Sequence, residues 1–277
     1  MLCHGIGRRT RNRQSMHEQW CEALNTGLHD SGLDRVAADR VTAVTYANCF
    51  RSAGTKSIGD PDDEDRIPAF GLVHLRDPLE LELLEAFASG VPDPEGSPTK
   101  GLPQDALRRL QRSRFLGDPP AKVIIWMIKQ VRDYLTDDAL RRCVQDRFAA
   151  AVTPGTRVVV AHSLGSVVAY ETLLAHPEWK IDTLVTIGSP LGLKAIGDRL
   201  RPPVSEKTPG AWPGVRRWLN VAAEEDPVAL VKKLKPLYGK DVEDLPVLNG
   251  RLSAHLATRY LTTHEVANGI ADALRPR

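Results

Sequence analysis

The chain has 277 residues, 42% of them hydrophobic and 26% charged, with a formal net charge of +2. A chain of this length can bury one large core, so we expect a single α/β domain over residues 1–277. Basic and acidic residues balance along the sequence, which excludes the basic excess typical of nucleic-acid-binding proteins, and we expect no nucleic-acid partner.

Two further features bear on location. The longest apolar stretch, Val123 to Ile128, is too short to cross a bilayer. The N-terminal residues lack the long apolar core of a signal peptide. The sequence therefore predicts a soluble, cytoplasmic protein without a transmembrane segment.

The cysteines give no sign of a metal site or a disulfide framework. They lie far apart, and none forms a CxxC pair. We expect buried free thiols at all of them, and we expect no metal and no cofactor. The residues concerned are Cys3, Cys21, Cys49 and Cys143.

Short strand-like runs alternate with helical patterns, which favours a parallel sheet covered by helices. The stretch "MLCH" predicts a first short strand, and residues 40–50 predict a second. Between them, residues 15–31 predict a helix that places Trp20, Leu24 and Leu28 on one face.

Residues 51–120 interrupt this rhythm with acidic and Pro/Gly-rich stretches around a predicted helix over residues 78–88. We interpret them as an insertion over the surface of the sheet. A helix over residues 121–150 follows, with an interruption near Thr136 where "TDDA" offers a new N-cap.

The regular alternation resumes in the last part of the chain. Apolar runs without alternation are typical of central parallel strands that are buried on both faces. The predicted strands are 156–161, 181–188, 215–222 and 242–250, and the predicted helices are 164–175 and 265–274.

The stretch "AHSLG", residues 161–165, passes directly from a predicted strand into a predicted helix. Such a sharp turn forces strained backbone on its central residue, here Ser163, and requires small residues two positions before and after it. Ala161 and Gly165 meet this requirement. The turn exposes the hydroxyl and directs the amides of the helix N-terminus toward a developing anion.

These residues resemble the nucleophile elbow, G-x-S-x-G, of the α/β-hydrolase superfamily, particularly its lipase and esterase branches, with Ala161 in place of the first glycine. The resemblance implies an α/β-hydrolase fold, in which a mostly parallel central sheet is flanked by helices, and a serine hydrolase activity. It covers residues 1–7 and about 156–274 and does not account for the insertion.

The stretch "HGIG", residues 4–7, follows the first predicted strand, where the family carries an HG-x oxyanion loop. The resemblance implies that the backbone N–H groups of Ile6 and Leu164 form the oxyanion hole. It also implies that His4 orients the loop and takes no part in the chemistry.

The family order nucleophile, acid, histidine selects the other two residues of a triad. Asp226, in "EEDPVAL", resembles the family's acid turn and is favoured over Glu224 and Glu225. His255 is favoured as the base over His264, which follows the predicted N-cap residues of the last helix. We expect His162, inside the elbow, to point away from the serine.

The resemblance thus implies a carboxylesterase- or lipase-like enzyme that cleaves small-molecule ester or acyl substrates through Ser163, His255 and Asp226. An amidase or peptidase with the same triad, or a non-catalytic binding module on the same fold, is the alternative. The apolar side chains of residues 189–214 predict either a lid loop or a plug in the core.

Overall fold

The structure is a computed structural model that describes residues 1–5, 13–50, 71–92, 103–116 and 121–275. Strands and helices follow one another along these ranges. Their bounds are β1 Leu2–Cys3, α1 Arg13–Asp30, β2 Ala43–Val44, α2 Pro78–Ser89, α3 Pro103–Ser113, α4 Ala121–Thr136, α5 Asp138–Ala149, β3 Val158–His162, α6 Leu164–Ala175, β4 Thr183–Ile187, α7 Lys194–Gly197, β5 Arg217–Ala223, α8 Lys235–Tyr238, β6 Val242–Val247, α9 Ala257–Leu261 and α10 His264–Leu274.

One sheet of six strands, in the order β2-β1-β3-β4-β5-β6, organises the described residues. Every pairing between neighbouring strands is parallel. Helices cover both of its faces, so the predicted α/β architecture with a parallel central sheet is confirmed.

The strand order reverses direction once, between β1 and β3. The chain passes from β1 to β2 on one side, and it then returns to add β3 and all later strands on the other side. In open parallel sheets, the crevice at the carboxyl ends of the strands on either side of such a reversal is the usual place for a ligand. The sheet topology therefore predicts a ligand site at the residues that follow β1 and β3.

Both faces of the central strand β3 pack against helices through apolar side chains. In β3, Val158 and Val160 belong to the core that contains α1 and α10. Val159 and Ala161 belong to the larger core that contains α6. The unbroken apolar run of this strand, which suggested a central position, reflects burial on both sides.

The helix prediction for residues 121–150 was correct in its break as well as its extent. The carboxylate of Asp137 accepts the N–H groups of Ala139 and Leu140 over 2.9 and 3.0 Å, which starts α5 immediately after α4. An aspartate that caps a helix end competes with continuation of the preceding helix.

The predicted second strand is much shorter than expected. Only Ala43–Val44 is a strand, and 3₁₀ helices lie on either side of it within residues 38–50. The reason is its partner. Among the described strands, β2 is at the edge of the sheet and pairs only with β1, which is itself two residues long. Local β-propensity cannot extend a strand beyond the ladder that its neighbour offers.

Part of the predicted insertion is described. The expected helix is present as α2, and a second helix, α3, which the sequence did not predict, buries Ala106, Leu107 and Leu110. Both pack against α4. Residues 51–70, 93–102 and 117–120 of the insertion lie outside the described residues.

The leucines and isoleucine expected either in a lid or in a core plug are part of the core. Leu191, Leu193, Ile196 and Leu200 are buried in the larger apolar cluster. The structure therefore favours the core plug for the residues 189–214 that follow β4.

The expectation of free thiols was wrong for one pair of cysteines. Cys49, which follows β2, and Cys143, on α5, form a disulfide bond with a Cα–Cα distance of 5.9 Å. Cys3 and Cys21 are free and buried, as predicted. The disulfide was missed because its cysteines are 94 residues apart in sequence and meet only when the 3₁₀ helix at residues 47–50 packs on α5.

None of the helices described is both long and apolar enough to cross a bilayer.

The disulfide predicts a redox-dependent stability. Cys143→Ser should lower the free energy of unfolding by about 2–4 kcal/mol, because the cross-link restricts the unfolded chain over a long loop. Urea unfolding with and without dithiothreitol measures this. The reductant should destabilise the wild-type protein and leave the variant unchanged, and a wild-type protein insensitive to reductant would contradict the bond.

Candidate active site

Ser163 connects β3 directly to α6 in a conformation that L-residues rarely adopt. Its φ is 54° and its ψ is −131°, and backbone of this kind costs of order 1–3 kcal/mol. Its N–H donates to Ile187 O on β4 over 3.1 Å, and its carbonyl accepts the Ser166 N–H over 2.9 Å. The strand therefore ends in a sharp bend that is fixed on both sides.

A row of hydroxyls supports the carbonyl of this bend. Ser166 Oγ donates to Ser163 O over 2.6 Å and lies 2.6 Å from Ser189 Oγ. Because Ser166 has only one hydroxyl proton, Ser189 must donate to Ser166. Ser189 in turn accepts the Leu191 N–H over 3.3 Å, so each hydroxyl in the row has a fixed direction.

Two glycines allow the chain to close around Ser163. A Cβ atom on Gly5 would lie 2.4 Å from Ser163 Cβ, and one on Gly165 would lie 2.5 Å from His4 O. Only glycine fits at such distances. Gly5, which follows β1, and the first turn of α6 therefore meet at Ser163, at the reversal point of the sheet.

The structure brings together the three side chains predicted as a triad. His255 Nε2 lies 3.0 Å from Ser163 Oγ, and His255 Nδ1 lies 2.8 Å from Asp226 Oδ2. The three residues are 5%, 1% and 1% exposed, in the order Ser163, His255, Asp226. An ionised carboxylate only accepts hydrogen bonds, so Nδ1–H donates to Asp226 and Nε2 is left to accept the Ser163 hydroxyl.

Asp226 is held as a carboxylate by donors on both oxygens. Oδ1 accepts the Val228 N–H over 2.9 Å, and Oδ2 accepts His255 and the Tyr260 hydroxyl, the latter over 2.7 Å. Burial alone raises the pKa of Asp226, but the His255 charge and these hydrogen bonds outweigh it and lower the pKa from 3.8 to about 2.

The main chain of His255 is fixed as well. Its N–H donates to Phe115 O over 2.9 Å, and its carbonyl accepts His162 Nε2–H over 2.7 Å. The rings of His162 and His255 have centroids 4.7 Å apart. His162 therefore lies beside the site and supports the histidine, which corrects the expectation that it points away.

Leu164, one of the two predicted oxyanion donors, is the first residue of α6. Its N–H lies next to the serine. Like the other first N–H groups of a helix, it has no acceptor within the helix. Ile6, the other predicted donor, lies outside the described residues.

The ring of His4 stacks on Tyr46 with a centroid separation of 4.4 Å, and the Tyr46 hydroxyl donates to His4 O.

Among the described residues, the competing candidates for the acid and the base do not form hydrogen bonds with the other residues of the predicted triad. Glu224 is exposed and Glu225 half-buried, whereas Asp226 is buried against His255. His264 begins α10 after the Thr263 cap, and its Nδ1 lies 2.7 Å from Ser31 Oγ. Within the described ranges, no group of three or more His, Cys, Asp or Glu side chains is placed to hold a metal ion.

No protein-family model matches the chain, and neither a curated protein nor a solved structure matches it.

The sequence interpretation missed three residues that shape the site. Gly188, at the end of β4, has φ +55°, and a Cβ there would lie 2.9 Å from Asp226 Oδ2. Lys232 Nζ donates to Ala223 O and Asp226 O over 2.6 and 2.8 Å, which closes the acid turn. Tyr260 donates to the acid itself. A glycine that ends an apolar strand was the available sequence signal for the first of them.

Gly188→Ala tests how tightly the sheet packs against the acid. Positive φ alone costs an alanine about 1–2 kcal/mol, and the clash with Asp226 should add about 1–3 kcal/mol. Gly32→Ala is the matched control, because Gly32 has φ +68° and a Cβ added there would meet no atom within 4 Å. Urea unfolding should show the larger loss at Gly188, and equal losses would contradict the close packing.

Proposed function

We propose that the chain is a serine hydrolase that cleaves carboxylic esters through an acyl-enzyme intermediate. The observation that carries the proposal is the continuous hydrogen-bonded chain from the Ser163 hydroxyl through His255 to Asp226. This arrangement is the one by which a weak hydroxyl nucleophile is activated.

The surrounding fold supports the same proposal. The serine follows a central strand at the reversal point of a parallel sheet, and the acid and histidine come later in the chain, in the order serine, acid, histidine. That order on a parallel sheet is the pattern of α/β-hydrolases. We therefore include the α/β-hydrolase fold in the proposal.

His255 provides the base. Its Nε2 takes the proton of Ser163 Oγ as the oxygen attacks the ester carbonyl, and the resulting imidazolium then gives that proton to the leaving alcohol. Water then enters and is deprotonated by the same nitrogen as it attacks the acyl carbonyl. The carboxylic acid leaves, and Ser163 Oγ takes the proton back from His255. The 3.0 Å separation of the two atoms suits this transfer.

Asp226 fixes the ring and stabilises its positive charge. With a pKa lowered to about 2, it stays ionised at any pH where esters are normally assayed. A carboxyl group with a lowered folded-state pKa contributes stability above its unfolded value, near 4, and loses it as the pH falls through about 2. Acid loss of activity above pH 4 therefore reflects another group.

The oxyanion of the tetrahedral intermediate would be held by backbone N–H groups. Leu164 supplies one from the start of α6, and the proposal assigns Ile6 as its partner. One such donor is typically worth ~3 kcal/mol of transition-state stabilisation. A purely structural serine does not need the strained backbone of Ser163.

A binding module on the same fold would not need this arrangement. Burying a histidine–carboxylate pair beside a strained serine costs stability, and strain of this kind is maintained mainly at functional sites. The proposal therefore favours an enzyme over a binding module. The buried leucines after β4 support a core plug rather than an apolar lid for residues 189–214.

Location remains a prediction. The cytoplasmic expectation came from the sequence, and the Cys49–Cys143 disulfide counts against it, because structural disulfides are rare in reducing compartments.

His255→Ala and His264→Ala test the assignment of the base. Ester hydrolysis should fall by about a thousandfold or more in His255→Ala, because a triad without its base keeps only the contribution of the oxyanion hole and binding. His264→Ala should retain wild-type kcat/KM, since its ring bonds Ser31. Hydrolysis of p-nitrophenyl esters of increasing chain length measures both, and the reverse result would remove His255 from the proposal.

Matched amide substrates complete the same experiment. Turnover of esters well above that of the amides supports the esterase assignment, and preferred turnover of amides would replace it with an amidase or peptidase. A folded wild-type protein that turns over neither class would favour the binding module.

A further inference from the structure

The hydroxyl of Tyr260 occupies a fixed position between the sheet and the acid. It accepts the N–H of Ala223, the last residue of β5, over 3.0 Å. It donates to Asp226 Oδ2 over 2.7 Å. Because an N–H can only donate and an ionised carboxylate can only accept, the direction of both bonds is determined. The phenol has one proton, and that proton is directed at the acid.

We propose that Tyr260 is a positioning residue of the triad, which holds Asp226 Oδ2 in line with His255 and limits how strongly the carboxylate attracts the histidine proton. The inference rests on the proposed function. It assigns to Tyr260 a control over the pH range in which Ser163 is activated.

The shared oxygen is the basis of this control. Asp226 Oδ2 accepts both His255 Nδ1–H and the Tyr260 hydroxyl, while Oδ1 accepts only Val228 N–H among the hydrogen bonds described. A second donor on the same oxygen spreads its negative charge and weakens its pull on the first. The tyrosine hydrogen bond is also one of the interactions that lower the pKa of Asp226.

Other charged groups face this pair from neighbouring elements. Lys232 binds the carbonyl oxygens of Ala223 and Asp226, and Glu225 lies close enough to Tyr260 to raise its pKa further. His162 lies against the His255 ring. A change of the Tyr260 hydroxyl alone leaves all of these side chains in place, so its effect can be separated from theirs.

Loss of the hydroxyl has two consequences. Asp226 loses the donor that fixes its orientation, so the histidine is less often aligned with the serine and kcat falls. The carboxylate also becomes a stronger partner for the protonated ring, so a higher pH is needed to free Nε2 as a base. The acidic limb of the pH profile therefore moves to higher pH.

The structure offers a matched control for Tyr260→Phe. Tyr134 is also fully buried, and its hydroxyl donates to a carboxylate, Glu171 Oε2, over the same 2.7 Å. Tyr134→Phe thus removes a similar bond outside the triad. Any general effect of deleting a buried tyrosine–carboxylate hydrogen bond should appear in both variants.

The experiment is a pH profile of kcat/KM, with kcat and KM at the optimum, on a p-nitrophenyl ester. Tyr260→Phe should lower kcat about tenfold to a hundredfold with little change in KM, since a hydrogen bond to a charged group is lost. Its acidic limb should move upward by about half a pH unit or more. Tyr134→Phe should keep both the limb and kcat of the wild-type protein.

A folded Tyr260→Phe protein with the wild-type limb and kcat overturns the proposal, and so does an equal change in Tyr134→Phe. If Tyr260→Phe does not fold, 3-fluorotyrosine at position 260 decides the question. Its more acidic hydroxyl donates more strongly and should move the limb to lower pH, and an unmoved limb overturns the proposal. Wild-type protein without ester turnover refutes the proposed function itself, which separates the two failures.

Discussion

The backbone bend at Ser163 is the constraint on which the candidate site depends. A strand ends and a helix begins with a single residue between them. That residue has a positive φ although it is not a glycine. The bend is possible because Gly5 and Gly165 bring β1, β3 and α6 closer together than any side chain would allow. The same closeness places the helix N-terminus, Gly5 and the serine hydroxyl at one point on the carboxyl edge of the sheet.

From that point outward, the site consists of hydrogen bonds with fixed directions. Hydroxyls of Ser166 and Ser189 support the bend from below, and His162 and the main chain at Phe115 hold the histidine from the sides. Charges buried without partners are costly, and here the acid has a donor on each oxygen. The preorganisation of these groups, rather than any unusual residue, distinguishes this serine from an ordinary helix cap.

Much of the central sheet was predictable because its signals are local. The apolar runs of β3 and β4, the elbow and the Asp137 break between α4 and α5 each lie within a few residues, and each appears where it was expected. The order of serine, acid and histidine selected three side chains that the structure does bring together. That selection depended on a family resemblance, which the comparisons with known proteins do not extend.

What the sequence could not predict depends on contacts between distant segments. The length of β2 is set by its partner strand, and the disulfide joins cysteines from separate elements. The leucines after β4 are buried in a core that forms only when distant segments pack together. Tyr260 reaches Asp226 from a helix that was not predicted. The direction of a hydroxyl and the sharing of one acceptor oxygen by two donors depend on the three-dimensional structure, so no pattern of residue types predicts them.

The central claim is that the folded arrangement of groups around Ser163 makes its hydroxyl a nucleophile. Incubation with a fluorophosphonate, followed by peptide mapping with mass spectrometry, tests it most directly. The account predicts a single adduct on Ser163 that is absent when the protein is first unfolded in urea and absent from Ser163→Ala. An adduct on another serine, equal labelling of the unfolded chain, or a folded protein that takes up no reagent would contradict it.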